Sequence, residues 1–187
     1  KLYGVELDSI SGRIAKQLYP NANIQICGFE RTNFQNDFFD VAIGNVPFGQ
    51  YKVSDPAYNK LNFPIHEYFF AKTLDKVRSG GIIIFITSRY TMDKKNSAAR
   101  KYIAERAELL GAVRLPDTAF KGSANTEAVA DILILKKRDR LLAEAPDWVA
   151  LSETLDGIEI NKYFAAFPQM VLGNMKMVSG PFGMRPT

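Results

Sequence analysis

The sequence predicts one α/β domain on a doubly wound sheet, with a C-terminal appendage. Short β-branched or aromatic runs alternate with helical segments up to about residue 137, as parallel βαβ units do. Gly81–Thr87 is continuous and apolar, which indicates a strand buried on both faces. The last two predicted strands, 112–115 and 129–135, have no helix between them, so we expect them to pair antiparallel.

Local patterns justify the other elements in order. Ile10, Ile14 and Leu18 recur every four residues, which predicts one buried helix face. Pro64 opens a second helix, and Gly80-Gly81 ends it. Gln50–Phe63 has no clear period, which predicts a mobile loop. Three further strands are predicted, at residues 3–7, 24–29 and 38–43.

The second half is predicted from weaker signals. Ala99, Ile103, Ala107 and Leu110 share one face, so a helix is expected to run to Leu110. A loop is expected over 116–126. The pattern changes after Arg138, which divides the chain into a core over 1–137 and an extension or linker over 138–187. The extension is expected to hold a short helix within 161–172 and a Gly/Pro-rich tail over 180–187.

Composition excludes several protein classes. The chain has 187 residues, is 47% hydrophobic and contains no run of the roughly 18 apolar residues that a membrane span needs. Cys27 is the single cysteine, which excludes an internal disulfide. The chain has only one histidine, so it offers too few cysteine and histidine ligands for a zinc cluster. A reducing, cytoplasmic setting is therefore expected. The net charge of +4 is compatible with nucleic acid and equally with a solvated surface.

The most informative stretch follows the predicted strand at 38–43. After Gly44, the residues Asn45, Val46, Pro47 and Phe48 form a stiff loop at the carboxyl end of a strand, where open α/β sheets bind ligands. An amide and a carbonyl there can accept hydrogen bonds from an exocyclic amine, and an aromatic ring can hold the flat molecule that carries it. The alternative is an ordinary proline-containing turn.

Two acidic residues also follow predicted strands. Glu6 ends the first strand, and a carboxylate there can accept both hydroxyls of a ribose. Glu30 follows the strand at 24–29, next to Phe29. The alternatives are a helix-capping or solvated carboxylate at Glu6, and a surface Glu30 beside a core Phe29. Asp8 is expected to cap the helix that follows Glu6.

Asn45-Val46-Pro47-Phe48 resembles the Asn-Pro-Pro-Phe/Tyr motif of amino-group methyltransferases, above all the N6-adenine DNA methyltransferases, with Val46 in place of the first proline. Gly4–Asp8 resembles the acidic motif of Class I S-adenosylmethionine-dependent methyltransferases. The motif order is similar to the γ arrangement of type I and IIG-like restriction–modification proteins and helicase–methylase fusions. The resemblance implies a Rossmann-like fold and S-adenosyl-L-methionine as cofactor.

The resemblance assigns roles to eight residues. For the cofactor, Glu6 would bind the ribose, Glu30 the adenine amine and Phe29 the adenine ring. For the target, the Asn45 side chain and the Val46 carbonyl would accept hydrogen bonds from the amine within a loop stiffened by Pro47. Phe48 would stack on the flipped base. Phe120, in the loop between the last two strands, would cover the other face of that base; the alternative is a loop aromatic packed on the core.

The expected function is therefore methyl transfer to the N6 amine of adenine in DNA by the parent protein, with DNA and other domains of that protein as partners, and no membrane or metal. The family's first strand and glycine-rich loop should precede Glu6, and the chain begins within a strand-like run, so we expect an N-terminally truncated fragment that binds cofactor poorly. Two rivals stay open: a catalytically silent DNA-binding or scaffolding remnant, and a protein glutamine N5-methyltransferase.

Overall fold

The computed structural model describes residues 1–125, 127–154, 157–180 and 183–186. Thr126 of the predicted loop, and Pro181, Phe182 and Thr187 of the predicted tail, lie outside the described residues. The strands are β1 (Tyr3–Glu6), β2 (Asn23–Ile26), β3 (Phe39–Asn45), β4 (Val77–Ser88), β5 (Ala107–Leu115), β6 (Ala130–Lys137), β7 (Leu151–Glu153), β8 (Glu159–Asn161), β9 (Met177–Gly180) and β10 (Gly183–Pro186). The helices are α1 (Ser9–Leu18), α2 (Ile65–Lys76), α3 (Tyr90–Asp93), α4 (Ala98–Arg106), α5 (Lys121–Ala124) and α6 (Lys162–Ala166).

The larger sheet has four strands in the order β3-β4-β6-β5. β3 runs parallel to β4, and β6 lies antiparallel to both of its neighbours, which confirms the predicted antiparallel pairing of β5 with β6. Asn45 pairs with Ile86, while Ala130 pairs with both Ser88 and Leu115. The ends of β3, β4 and β5 at Asn45, Ser88 and Leu115, and the start of β6 at Ala130, therefore share one border of the sheet, here named the motif edge.

A second sheet consists of β1 and β2, which are parallel. The ring of Tyr3 on β1 lies 5.4 Å from the ring of Phe39 on β3, so the first residues of these two strands are neighbours. Within the described ranges, β1 pairs only with β2 and β3 pairs only with β4. This is the arrangement of a doubly wound sheet that lacks one strand between β1 and β3.

One face of the larger sheet is fully covered and the other is not. Ile83, Phe85, Leu133 and Leu135 are buried in a core that α2 and α4 also supply. Ile82 and its alternate neighbours along β4 are only half-buried. The expectation that Gly81–Thr87 is buried on both faces is therefore wrong, because the covering helices pack on a single side.

The predicted buried face of α1 is also exposed. Ile10, Ile14 and Leu18 are 60%, 52% and 68% exposed. α1 instead packs through Gly12, where a Cβ would lie 2.7 Å from the Ile26 side chain on β2. The periodicity correctly predicts the helix, but its apolar stripe faces away from the described core.

Two element boundaries differ from the prediction. α2 ends at Lys76 and the chain enters β4 at once, so Gly80-Gly81 lies inside a strand; Gly80 has a φ of +74°. α4 ends at Arg106, and Ala107 and Leu110 belong to β5. Ala107 pairs with Lys137, so the whole length of β6 holds this segment extended.

The extension after Arg138 packs against the core. Trp148, Val149, Ile160 and Phe164 are buried with the side chains of the main sheet. The predicted short helix is α6, which the Asn161 side chain caps by accepting from the Tyr163 amide. Within the expected tail, β10 pairs antiparallel with β9. Among the described residues, no helix is long and apolar enough to cross a membrane.

Candidate active site

The Asn45–Phe48 loop leaves β3 at the motif edge. The Val46 amide donates to the Ile86 carbonyl at 3.0 Å, and the Val46 side chain is buried. Asn45 and Phe48, on either side of this anchor, are exposed. The loop therefore presents an amide and an aromatic ring to solvent while Val46 supplies the buried contact that holds them in place.

His66 fixes the residue after Phe48. His66 is buried, and its Nδ1 lies 3.1 Å from the Gly49 carbonyl oxygen. Burial lowers the pKa of His66, which keeps the ring neutral at pH 7, so Nδ1–H is the tautomer that can donate to this carbonyl. The Ile65 amide donates to the Tyr51 carbonyl at 2.8 Å. The start of α2 thus secures the loop behind the motif.

Glu6 and Asp8 lie where β1 gives way to α1. Glu6 is half-buried, and its Oε1 accepts from the Asp8 amide at 2.8 Å. Asp8 Oδ1 accepts from the Ser11 amide at 2.7 Å, which confirms Asp8 as the helix cap. That amide hydrogen bond lowers the pKa of Asp8. The second carboxylate oxygen of Glu6 remains outside these bonds.

Glu30 and Phe29 lie in the 3₁₀ turn Phe29–Arg31 that follows β2. The Glu30 carboxylate folds back over Gly28. A Cβ at position 28 would collide with that carboxylate, so this orientation of the Glu30 side chain requires glycine there. Phe29 packs against Phe69 of α2, with ring centroids 4.9 Å apart. Phe29 is therefore already part of an aromatic cluster, although its side chain is not fully buried.

A buried polar cluster around Asp55 links the motif loop to Glu30. Tyr68 and Lys72 of α2 donate to Asp55 Oδ2 at 2.7 and 3.0 Å. Lys72 also donates to the Glu30 carbonyl at 3.2 Å. Burial raises the pKa of Asp55, but the hydrogen bonds from Tyr68 and Lys72 outweigh it and leave that pKa lowered.

The Asp55 cluster corrects the expectation of a mobile loop over Gln50–Phe63, because its middle is anchored on α2. The sequence analysis did not identify Asp55, Tyr68 or Lys72 as part of the site. Asp55, Tyr68 and Lys72 are ordinary surface types, and Glu30 lies far from them along the chain. Only the i, i+4 spacing of Tyr68 and Lys72 on one helix face offered a signal.

Phe120 follows β5, so its loop emerges at the motif edge. The side chain is half-buried. Among the described residues, the rings of Phe48 and Phe120 contact neither each other nor another aromatic ring. The topology brings both loops to one border of the sheet without placing their rings together.

Residues 6–120 match the family model of the Eco57I restriction-modification methylases. The chain belongs to this family. It is also 34% identical over 146 residues to Defense against restriction protein B of Escherichia phage P1. That alignment takes in 74% of this chain but only 6% of the phage protein, so the chain spans a small part of that relative's length.

Solved structures confirm the fold of this family member. A protein from Listeria monocytogenes, assigned to the class I S-adenosylmethionine-dependent methyltransferases, superposes with a TM-score of 0.58 at 23% identity, over 77% of this chain and 46% of that one. The type I restriction-modification methyltransferase subunit from Streptococcus thermophilus gives 0.57 at 19% identity, over 72% and 33%. The predicted Class I methyltransferase fold is therefore correct.

Proposed function

We propose that this chain is part of a methyltransferase that transfers a methyl group from S-adenosylmethionine to the N6 amine of adenine in DNA. The observation that carries the proposal is the exposed Asn45 amide at the motif edge, held by a buried Val46 and followed by an exposed Phe48. Membership of a restriction-modification methylase family supports methyl transfer as the reaction.

The residues that would hold the cofactor have side chains able to accept its hydrogen bonds. Glu6 keeps one carboxylate oxygen outside its bond to Asp8, as a ribose acceptor must. Glu30 lies over Gly28, at the corresponding end of the parallel neighbour β2. Because β1 and β3 each have an unpaired edge among the described residues, the side of the site between them is open. We therefore expect this chain alone to bind the cofactor weakly.

Asn45 and Val46 would act on the target amine. The Asn45 side-chain oxygen and the Val46 carbonyl oxygen each accept one amine hydrogen, which withdraws the nitrogen lone pair from conjugation with the ring. S-adenosylmethionine, when bound, supplies an electrophilic methyl group on its sulfonium. The nitrogen would bond to the methyl group as the methyl–sulfur bond breaks, leaving S-adenosylhomocysteine, and would then lose its proton to solvent. The site therefore needs no strong base, and orientation supplies most of the acceleration. Phe48 would stack on the extruded base.

A second candidate, a catalytically silent DNA-binding or scaffolding module, is favoured by the open edges of β1 and β3. Testing several methyl acceptors in parallel distinguishes this silent module from a methyltransferase. The longest natural polypeptide that contains this chain would be incubated with tritiated S-adenosylmethionine and, separately, an adenine-containing duplex, a duplex whose adenines carry no N6 amine, and a glutamine peptide. We expect label only in the first duplex. Label in the peptide would favour glutamine methylation, and DNA binding without label would favour the silent module.

A further inference from the structure

Arg100 of α4 is a buried arginine with an unsatisfied donor. The residue is 2% exposed, and its Nε donates to the Val149 carbonyl at 2.9 Å. Its Nη1 is also buried and has no hydrogen-bond partner among the described residues. Leaving a charged donor unsatisfied away from water is costly, so such a group indicates an ion or water that belongs beside it.

Three carboxylates interact electrostatically with Arg100, but none of them forms an ion pair with it within the described structure. Each is instead paired with another cation: Asp93 with Arg114 at 2.7 Å, Glu67 with Lys94 at 3.4 Å, and Glu159 with Lys95 at 4.0 Å. Burial lowers the pKa of Arg100 by more than these three carboxylates raise it. The unsatisfied Nη1 donor is therefore left for a group outside the described residues.

Arg100 lines a cleft of about 510 Å³ at the start of α4. Lys101, which is exposed and forms no ion pair among the described residues, lines it too, as does Ser97. The acidic residues of the lining are both paired with a lysine: Glu159 with Lys95, and Asp147 with Lys162 at 3.7 Å. The cleft therefore has a surplus of positive charge.

We propose that this cleft binds a phosphoryl oxyanion, with Arg100 as the central cation and Lys101 as the second. The planar donor fork of arginine matches the oxygens of such a group. The inference is independent of methyl transfer. The phosphoryl group has two possible sources, a backbone phosphate of nucleic acid or free phosphate.

The first test is thermal unfolding of this chain in inorganic phosphate against chloride at equal ionic strength. A ligand that binds the folded state raises the melting temperature, so the wild type should melt higher in phosphate. Lys101→Ala should lose most of that shift, while Lys16→Ala, an exposed lysine of α1, should keep it. No shift in the wild type, or an equal shift in Lys101→Ala, would overturn the proposal.

The Arg100→Met variant provides a second test, again by thermal unfolding in phosphate and chloride. Its melting temperature should be independent of phosphate, and a retained shift would contradict the assignment of Arg100. A short DNA duplex then distinguishes the sources. If phosphate weakens duplex binding by the wild type but not by Lys101→Ala, the cleft takes a backbone phosphate. If duplex binding is the same in both proteins and phosphate still stabilises the wild type, the ligand is free phosphate.

Discussion

At the residue scale, exposure separates the side chains that hold the site from those available to a ligand. Val46 is buried and anchors the motif loop, whereas Asn45 and Phe48 are exposed. This explains how valine can stand where related motifs have proline. The rigidity that proline would supply comes instead from a buried side chain and a backbone bond to Ile86.

Glu30→Gln tests the proposed adenine contact. Glutamine can still accept this bond but without the charge, and a charged hydrogen bond contributes about 1.5–3 kcal/mol against about 0.5–1.5 kcal/mol for a neutral one, so the affinity for S-adenosylmethionine should fall roughly five- to tenfold. Isothermal titration calorimetry on the longest natural polypeptide that contains this chain measures it. Glu144→Gln, at an exposed residue of the extension, is the matched control. Equal affinities in the two variants would contradict the role of Glu30.

At the element scale, α2 connects both halves of the candidate site. His66 holds the Gly49 carbonyl, and Lys72 holds Asp55 together with the Glu30 carbonyl. The helix was predictable from Pro64 and its apolar spacing, but these contacts were not, because they join residues that are distant in sequence. The spacing of Ala107 and Leu110 likewise fits a helix, yet pairing with β6 makes that segment a strand.

Lys72→Met should destabilise the fold. It leaves the Asp55 carboxylate buried without its cation, and breaking a buried pair in this way costs about 3–5 kcal/mol. Urea unfolding measures the change. Lys76→Met, which removes an exposed bond to Asn36, should cost less than about 1 kcal/mol. If both substitutions cost the same, the Asp55 cluster does not anchor the loop.

The lowered pKa of Asp55 predicts that the free energy of unfolding depends on pH. Because its folded-state pKa is lowered, its contribution is fully present above the unfolded value of about 3.9 and is lost as pH falls through the folded value. The difference in unfolding free energy between wild type and Asp55→Asn should therefore shrink below about pH 4. A difference that grows on acidification would contradict the lowered pKa.

At the scale of the whole molecule, the chain exposes apolar surface where a strand is absent. β1 and β3 each have one unpaired edge within the described ranges, Ile43 of β3 is 75% exposed, and the stripe of α1 is uncovered. The motif sequence predicted the fold class and the absent strand. It could not predict which faces stay uncovered, because periodicity reports that a face is apolar and not what packs on it.

These open edges should make the isolated chain self-associate, since unpaired strand edges template pairing with another chain. Sedimentation velocity should show association that rises with concentration. Val41→Lys, on the uncovered side of β3, should reduce it, whereas Leu141→Lys, at an exposed leucine of the extension, should not. A wild type that stays monomeric, or an equal effect of both lysines, would contradict this account of the open edge.

The most direct test of the central claim is nucleoside mass spectrometry of an adenine-containing duplex after incubation with S-adenosylmethionine. The longest natural polypeptide that contains this chain would be compared with its Asn45→Ala variant, and with Asn21→Ala as an exposed control. We predict N6-methyladenine from the wild type and the control, and a loss of about 10²-fold or more with Asn45→Ala, as for other preorganised polar groups that act in the transition state. Undiminished methylation by Asn45→Ala, or methylation at another atom, would contradict the account.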